Sequence, residues 1–209
     1  PKYPLQVQPD LPPRVKILRV KETEIREDLQ EIEVESNAVL PITGLAYDDI
    51  AMDQVRLKLN TTDGRELFYV GQAPVEKNLQ KANGFTPPAV PFLLTLDLGR
   101  LTFDPDPATA KPITLKSETI LEAIVVGEDT AEPKSQIGKS SVVKLRIQGE
   151  ANQEQRQEQE KQASEQQEKH DQQKKERQQQ QQPQDKPDNE QEKEKEQDKE
   201  QDQQPGQGE

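Results

Sequence analysis

Apolar and polar residues alternate with a period of two along several short stretches of this 209-residue chain, and then bulky apolar residues stop altogether. Gln54–Asn60 alternates best, with Val55, Leu57 and Leu59 facing one way and Arg56 and Lys58 the other. That period places one face of a β-strand against a core and the other in water. Arg14–Val20, Glu31–Ser36, Val39–Tyr47, Arg65–Gly71, Glu118–Asp129 and Ser140–Gly149 also read as strands. Pro91–Leu98 is apolar on both faces, as a central strand would be. Pro41 argues for an edge position or a bulge in its strand. Thr61–Gly64, with Asp63-Gly64, predicts a hairpin turn. Residues 21–29 fit a helical turn or a charged edge equally well, and residues 72–91 read as a long irregular connection.

Short strands at this spacing, with no long amphipathic helix among them, predict an all-β fold. The expected architecture is an antiparallel immunoglobulin-like β-sandwich of about seven to eight strands, with a closed barrel as the second choice. It spans residues 14–149. Residues 1–13, with prolines at positions 1, 4, 9, 12 and 13, read as an extended linker.

No Leu, Ile, Val, Met, Phe, Tyr or Trp follows Ile147. A segment with so little to bury does not offset the entropy of ordering its backbone. Residues 150–182 lack Pro and Gly and are rich in helix formers, including the (i, i+4) pairs Glu165–Lys169 and Asp171–Lys175. They predict a helix solvated on every side, without the apolar seam of a coiled coil. Residues 183–209, with three prolines and two glycines, predict a disordered acidic tail.

Charge narrows the function classes. The net charge is −12 at pH 7, and both the head and the tail are acidic, which argues against nucleic acid or an anionic membrane surface as a partner. There is no Cys, which removes disulfides, thiolate metal sites and a Cys nucleophile. No apolar run is long enough to span a bilayer. The chain opens on Pro1, which reads as a fragment or processed product with any leader or anchor upstream.

One stretch carries a motif. Ala46-Tyr47-Asp48-Asp49-Ile50-Ala51-Met52-Asp53-Gln54-Val55-Arg56-Leu57 ends one strand in two acids, tucks an apolar residue under the turn and opens the next strand. It resembles the A-x-D-D-x-G-L-x-x-V-x-L pattern of immunoglobulin-like and cadherin-like repeats in large bacterial cell-envelope proteins. Ala51 stands where that family carries Gly, and Met52 where it carries Leu. Pro12-Pro13-Arg14-Val15 resembles the family's first strand. Ala123–Asp129 and the run from Gly138-Lys139-Ser140 resemble its last two. The resemblance covers residues 12–148 and implies the fold and an envelope or periplasmic setting, with a cytoplasmic one as the alternative.

The candidate sites are few. Asp48, Asp49, Asp53, Glu128 and Asp129 are hard oxygen donors, and the resemblance implies calcium at such strand ends. The alternative is that they cap turns. Asn83, Gly84 and Phe85 form the candidate contact surface, at a turn of the long connection. No catalytic residue is expected. His170, the one histidine, lies in the polar tail without partners for a triad or a zinc site. Aromatic platforms for sugars are scarce and Trp is absent. The expected function is a non-catalytic structural or protein-interaction module of a bacterial envelope protein, its partners other protein domains of the same or a neighbouring chain and no cofactor required. The alternatives are a carbohydrate-binding accessory domain and a cytosolic scaffold segment that uses its Gln/Glu-rich tail for weak multivalent contacts.

Overall fold

The computed structural model describes residues 10–26, 31–49, 51–77, 79, 89–106, 108–131 and 133–181. Among these, twelve strands occur in the order β1 (Arg14–Val20), β2 (Thr23–Glu24), β3 (Glu31–Glu35), β4 (Val39–Tyr47), β5 (Met52–Thr61), β6 (Glu66–Tyr69), β7 (Val75–Lys77), β8 (Ala89–Asp97), β9 (Leu101–Thr102), β10 (Ile120–Asp129), β11 (Ile137–Lys139) and β12 (Val143–Gln148). A 3-10 turn at Leu98–Arg100 links β8 to β9, and one long helix, α1 (Gln153–Gln181), follows the last strand.

The strands form two sheets. The smaller runs β2-β1-β4-β8, and the larger β3-β12-β10-β5-β6-β9, with β11 on β10 and β7 on β5. The pairings are antiparallel except for β3, which lies parallel to β12. The alternation seen in the sequence is the alternation of burial: Val55 and Leu59 on β5, Leu121, Ala123 and Val125 on β10, and Val143, Leu145 and Ile147 on β12 are all buried. They meet Ile17, Leu40, Ile42, Phe92, Leu94 and Leu96 of the smaller sheet in one apolar cluster. The cluster contains no residue of α1, so the two sheets close their interior without the helix. This is a sandwich of two β-layers, as the period-two pattern predicts, but with twelve strands among the described residues instead of seven to eight, and with one parallel pair in the larger sheet instead of a wholly antiparallel arrangement.

Two local features follow from single residues. Gly64 sits at φ 84° in the β5–β6 hairpin, a left-handed conformation that costs glycine little, and the turn is closed by Thr61 N–H to Arg65 O at 2.9 Å. Gly44 on β4 pairs with Phe92 on β8, and any Cβ there would overlap the Phe92 ring and the Lys16 carbonyl. The glycine leaves the room that the ring occupies over the neighbouring strand.

Pro41 differs from expectation, because β4 is an inner strand, flanked by β1 and β8. Its carbonyl accepts from Lys21 N–H at 2.7 Å, one residue past the last β1–β4 pair, Val20–Ile42. The imino nitrogen therefore falls where β1 has turned away, at Lys21 with φ 56°, and no ladder bond is lost. Residues 21–26 hold a tight return: β2 folds back on the end of β1, pairing Thr23 with Val20.

The helix departs further. It is not solvated on every side: Gln159 and Ala163 are buried, and Arg156, His170 and Lys174 are half-buried against the smaller sheet and β7. Residues 183–209, read as a disordered acidic tail from their composition, lie outside the described residues, as do residue 182 of the expected helix and residues 1–9 of the linker.

Candidate functional site

The five acids proposed from sequence divide by environment. Asp49 and Asp53 are exposed, and Asp48 is buried at the end of β4. Glu128 faces its cross-strand partner Gln54, whose Nε2 donates to it at 2.9 Å, and Ser135 Oγ donates at 2.8 Å. These two bonds hold its carboxyl below the ordinary carboxylate value. Asp129 is buried, and its Oδ1 accepts from Ala131 N–H at 3.1 Å and Gln136 N–H at 2.7 Å, closing the β10–β11 turn. Glu128 and Asp129 stand at the register shift between β10 and β5, and each is committed to its own donors. Among the described residues no group of three or more His, Cys, Asp or Glu is assembled that could hold a metal ion. Asn83, Gly84 and Phe85 lie outside the described residues. Met52 is buried in the core cluster beside Gly127, under the turn that carries Asp48 and Asp49.

The structure brings a different set together, where α1 meets the sandwich. Asn152 caps the helix: its Oδ1 accepts from Gln155 N–H at 2.8 Å, and Gln155 Oε1 accepts from Asn152 N–H at 3.1 Å. This reciprocal pair is a capping box. Just before it, the Asn37 side chain brackets Ala151, accepting from its N–H at 2.9 Å and donating to its carbonyl at 3.3 Å. The start of the helix is thereby fixed to the β3–β4 turn.

Along the helix the contacting residues are spaced by three, four, seven and four positions, one or two turns apart, which keeps them on one stripe. Arg156 donates to Asn37 O at 2.8 Å and pairs with Asp97 at 3.2 Å. Gln159 accepts from Val39 N–H at 3.0 Å and donates to Glu35 at 3.3 Å. Ala163 is buried one turn on. His170 Nε2 lies 2.8 Å from Glu76 Oε1, and Lys174 Nζ reaches the same oxygen at 3.3 Å and the Lys77 carbonyl at 2.7 Å. From Arg156 to Lys174 the stripe is about 27 Å long at 1.5 Å per residue.

Glu76 is the hub of the far end. Its Oε2 accepts from Leu93 N–H on β8 at 2.8 Å, and its side chain is only 10% exposed. Burial alone would raise its pKa. The bonds from His170 and Leu93, with the charges of His170 and Lys174, outweigh burial and bring it below the ordinary value of 4.5. A lowered carboxylate pKa means that the contribution of the charge is complete above pH 4.5 and is lost as pH falls through the folded-state value. Acidification below pH 4.5 should therefore weaken helix docking, because a neutral Glu76 leaves the Lys174 ammonium without its counter-charge. Unfolding curves of the native chain and Glu76→Gln, compared from neutral pH down, check this. The native chain should lose more stability than the variant over that interval, and parallel curves would count against it.

Glu76 also performs an edge function. β8 is the outer strand of the smaller sheet, and its outward N–H groups at Leu93 and Asp97 are taken by Glu76 and by the Tyr69 hydroxyl, the latter at 2.8 Å. Both caps come from the larger sheet and block that edge from pairing with another strand. Desolvation pushes the Tyr69 phenol pKa up, so it stays protonated. Between this edge and α1 lies an open cleft of about 690 Å³. Tyr69 is the one aromatic among its described lining residues, and the Arg100 guanidinium sits 5.3 Å from its ring centroid.

His170 was legible only as an isolated imidazole; its partner Glu76 is 94 positions away in the chain. The capping box at Asn152 and Gln155, by contrast, is a local signal that marks the helix start. No helix among the described residues is long and apolar enough to cross a membrane. No protein-family model matches the chain, and no curated protein sequence matches it.

Proposed function

We propose that the chain is a non-catalytic display module: an immunoglobulin-like sandwich of a bacterial envelope protein that offers surfaces to other protein domains and sets the direction of its polar C-terminal segment. The observation that carries this reading is the docked helix. A solvated helix would leave the last strand in any direction. Here the Asn37 bracket, the Arg156–Asp97 pair and the Glu76 hub aim it along one line for about 27 Å. The Gln/Glu/Lys-rich residues beyond it then start from a set point, on the far side from the Asn37 anchor. The side chains of the helix–sheet junction are engaged with one another in pairs that fix geometry, which suits a stand more than a reacting centre.

The envelope setting rests on the Asp48-Asp49 turn motif and its resemblance to envelope repeats. Photo-crosslinking in intact source cells, from probes at the exposed positions Asp49 and Thr130, tests both parts. The expected result is a discrete protein adduct in the envelope fraction. Recovery only in the cytosol would overturn the setting. Retention of the native chain on immobilised polysaccharide, without protein adducts, would favour the carbohydrate-binding alternative.

A further inference from the structure

We infer that α1 is a releasable strap: it detaches as a unit from a sandwich that stays folded, and ionic strength drives the release. Three observations lead there. The apolar core is complete without the helix, since its members all precede residue 148. The stripe by which α1 docks is almost wholly polar, with Ala163 its one buried apolar side chain among the described residues of the helix. The hydrophobic free energy that holds it is confined to Ala163 and the two sheet residues it covers, Val39 and Leu93, because that term scales with apolar area removed from water. The remaining holds are polar: the ion pairs of Arg156 with Asp97 and of Lys174 with Glu76, the His170–Glu76 contact, and hydrogen bonds at Asn37, Val39 and Lys77 that water can replace. Arg156 and Lys174 keep 29% and 20% of their side-chain surface exposed, so added salt reaches both pairs.

The sandwich gives up little on release. Val39 and Leu93, which sit on the outer face of the smaller sheet and outside the core cluster, become exposed, and the cleft beside β8 opens fully. The N–H of Val39 loses Gln159 as its acceptor and gains water. The freed helix has no apolar stripe to bury elsewhere, and a polar helix without packing is marginal in water. Release thus converts a fixed arm into a solvated tether, a change in reach with no change in the sandwich.

Hydrogen exchange on the full chain tests this. Sodium chloride is raised from about 0.01 M to about 1 M, which shrinks the screening length from about 30 Å to about 3 Å. The expected result is at least about tenfold faster exchange across α1 and at Val39 N–H, with the ladder amides of Leu59 and Ala123 unchanged. Glu76→Gln at low salt should produce the same pattern over the second half of α1. The glutamine oxygen still accepts from Leu93 N–H, so the sandwich is kept while the charge that holds Lys174 is removed. Two results would overturn the inference: α1 protection that ignores both salt and Glu76→Gln, or α1 exchanging only together with Leu59 and Ala123.

Discussion

Phe92→Ala should remove about 3–5 kcal/mol of unfolding free energy, the largest loss expected from any single truncation here. Phe92 is 1% exposed on β8 and belongs to the central apolar cluster. What makes its loss severe is its neighbour. Gly44, its cross-strand partner, has no side chain to move into the vacancy, and the ring now lies over the glycine where a Cβ would be. A cavity bounded partly by backbone relaxes less than one bounded by side chains, which pushes the cost toward the upper end of the range. Phe92→Leu keeps much of the volume and should cost less, about 1–1.5 kcal/mol. Urea unfolding followed by circular dichroism gives both values. A loss below about 1 kcal/mol for the alanine variant would mean that the ring does not sit between the sheets.

Asp129→Ala should cost about 3 kcal/mol, because two backbone N–H donors, of Ala131 and Gln136, lose a buried carboxylate acceptor together. Asp129→Asn supplies a carbonyl oxygen in the place of Oδ1 and should cost clearly less. The second oxygen, Oδ2, has no hydrogen-bond partner among the described residues, so the amide nitrogen of the asparagine displaces no existing bond. The same experiment addresses calcium. If Asp129 serves the turn, the melting midpoint is equal in millimolar calcium and in chelator, for the native chain and for Asp129→Asn. A calcium-dependent rise in the native chain that disappears in the asparagine variant would return the acid cluster to metal binding. The spread of the five acids, two exposed and Glu128 committed to Gln54 and Ser135, favours equality.

Much of the sandwich was legible because its physics is local. Val55, Leu57 and Leu59 alternate with charged neighbours, and β5 runs through them; Val143, Leu145 and Ile147 do the same for β12. Pro91–Leu98 reads as a central strand on composition, yet β8 is an edge. Its outward side chains are apolar where α1 covers them, as at Leu93, and its exposed N–H groups are capped from the other sheet. The shortest strands, β2, β7, β9 and β11, have two or three residues each and no period to detect. They exist because neighbouring strands offer them partners.

The docked helix was illegible for a different reason. Pattern reading finds faces by hydrophobicity, and the face that α1 presents to the sandwich is Arg156, Gln159, Ala163, His170 and Lys174. Four of these five look like solvent-facing residues. Their partners, Glu35, Val39, Asp97 and Glu76, are distant in the chain and carry no mark of the pairing. The spacing of three, four and seven was there to be read, but only once polar residues are allowed to form a stripe. Immunoglobulin-like connectivity belongs with the proposal for the same kind of reason: burial pattern specifies layers, and the parallel β3–β12 pair shows that pairing order is a separate matter.

A polar helix held against the outside of a two-layer β-sandwich is the molecule's defining feature. The most direct test is a nuclear Overhauser spectrum of the full, isotopically labelled chain at low salt. Val39 N–H lies 3.0 Å from Gln159 Oε1, so cross-peaks between the Val39 amide proton and the Gln159 side chain are expected, beside the cross-strand contacts of Gly44 with Phe92. A spectrum in which residues 153–181 show only sequential and intrahelical contacts, with none to Val39, would contradict it.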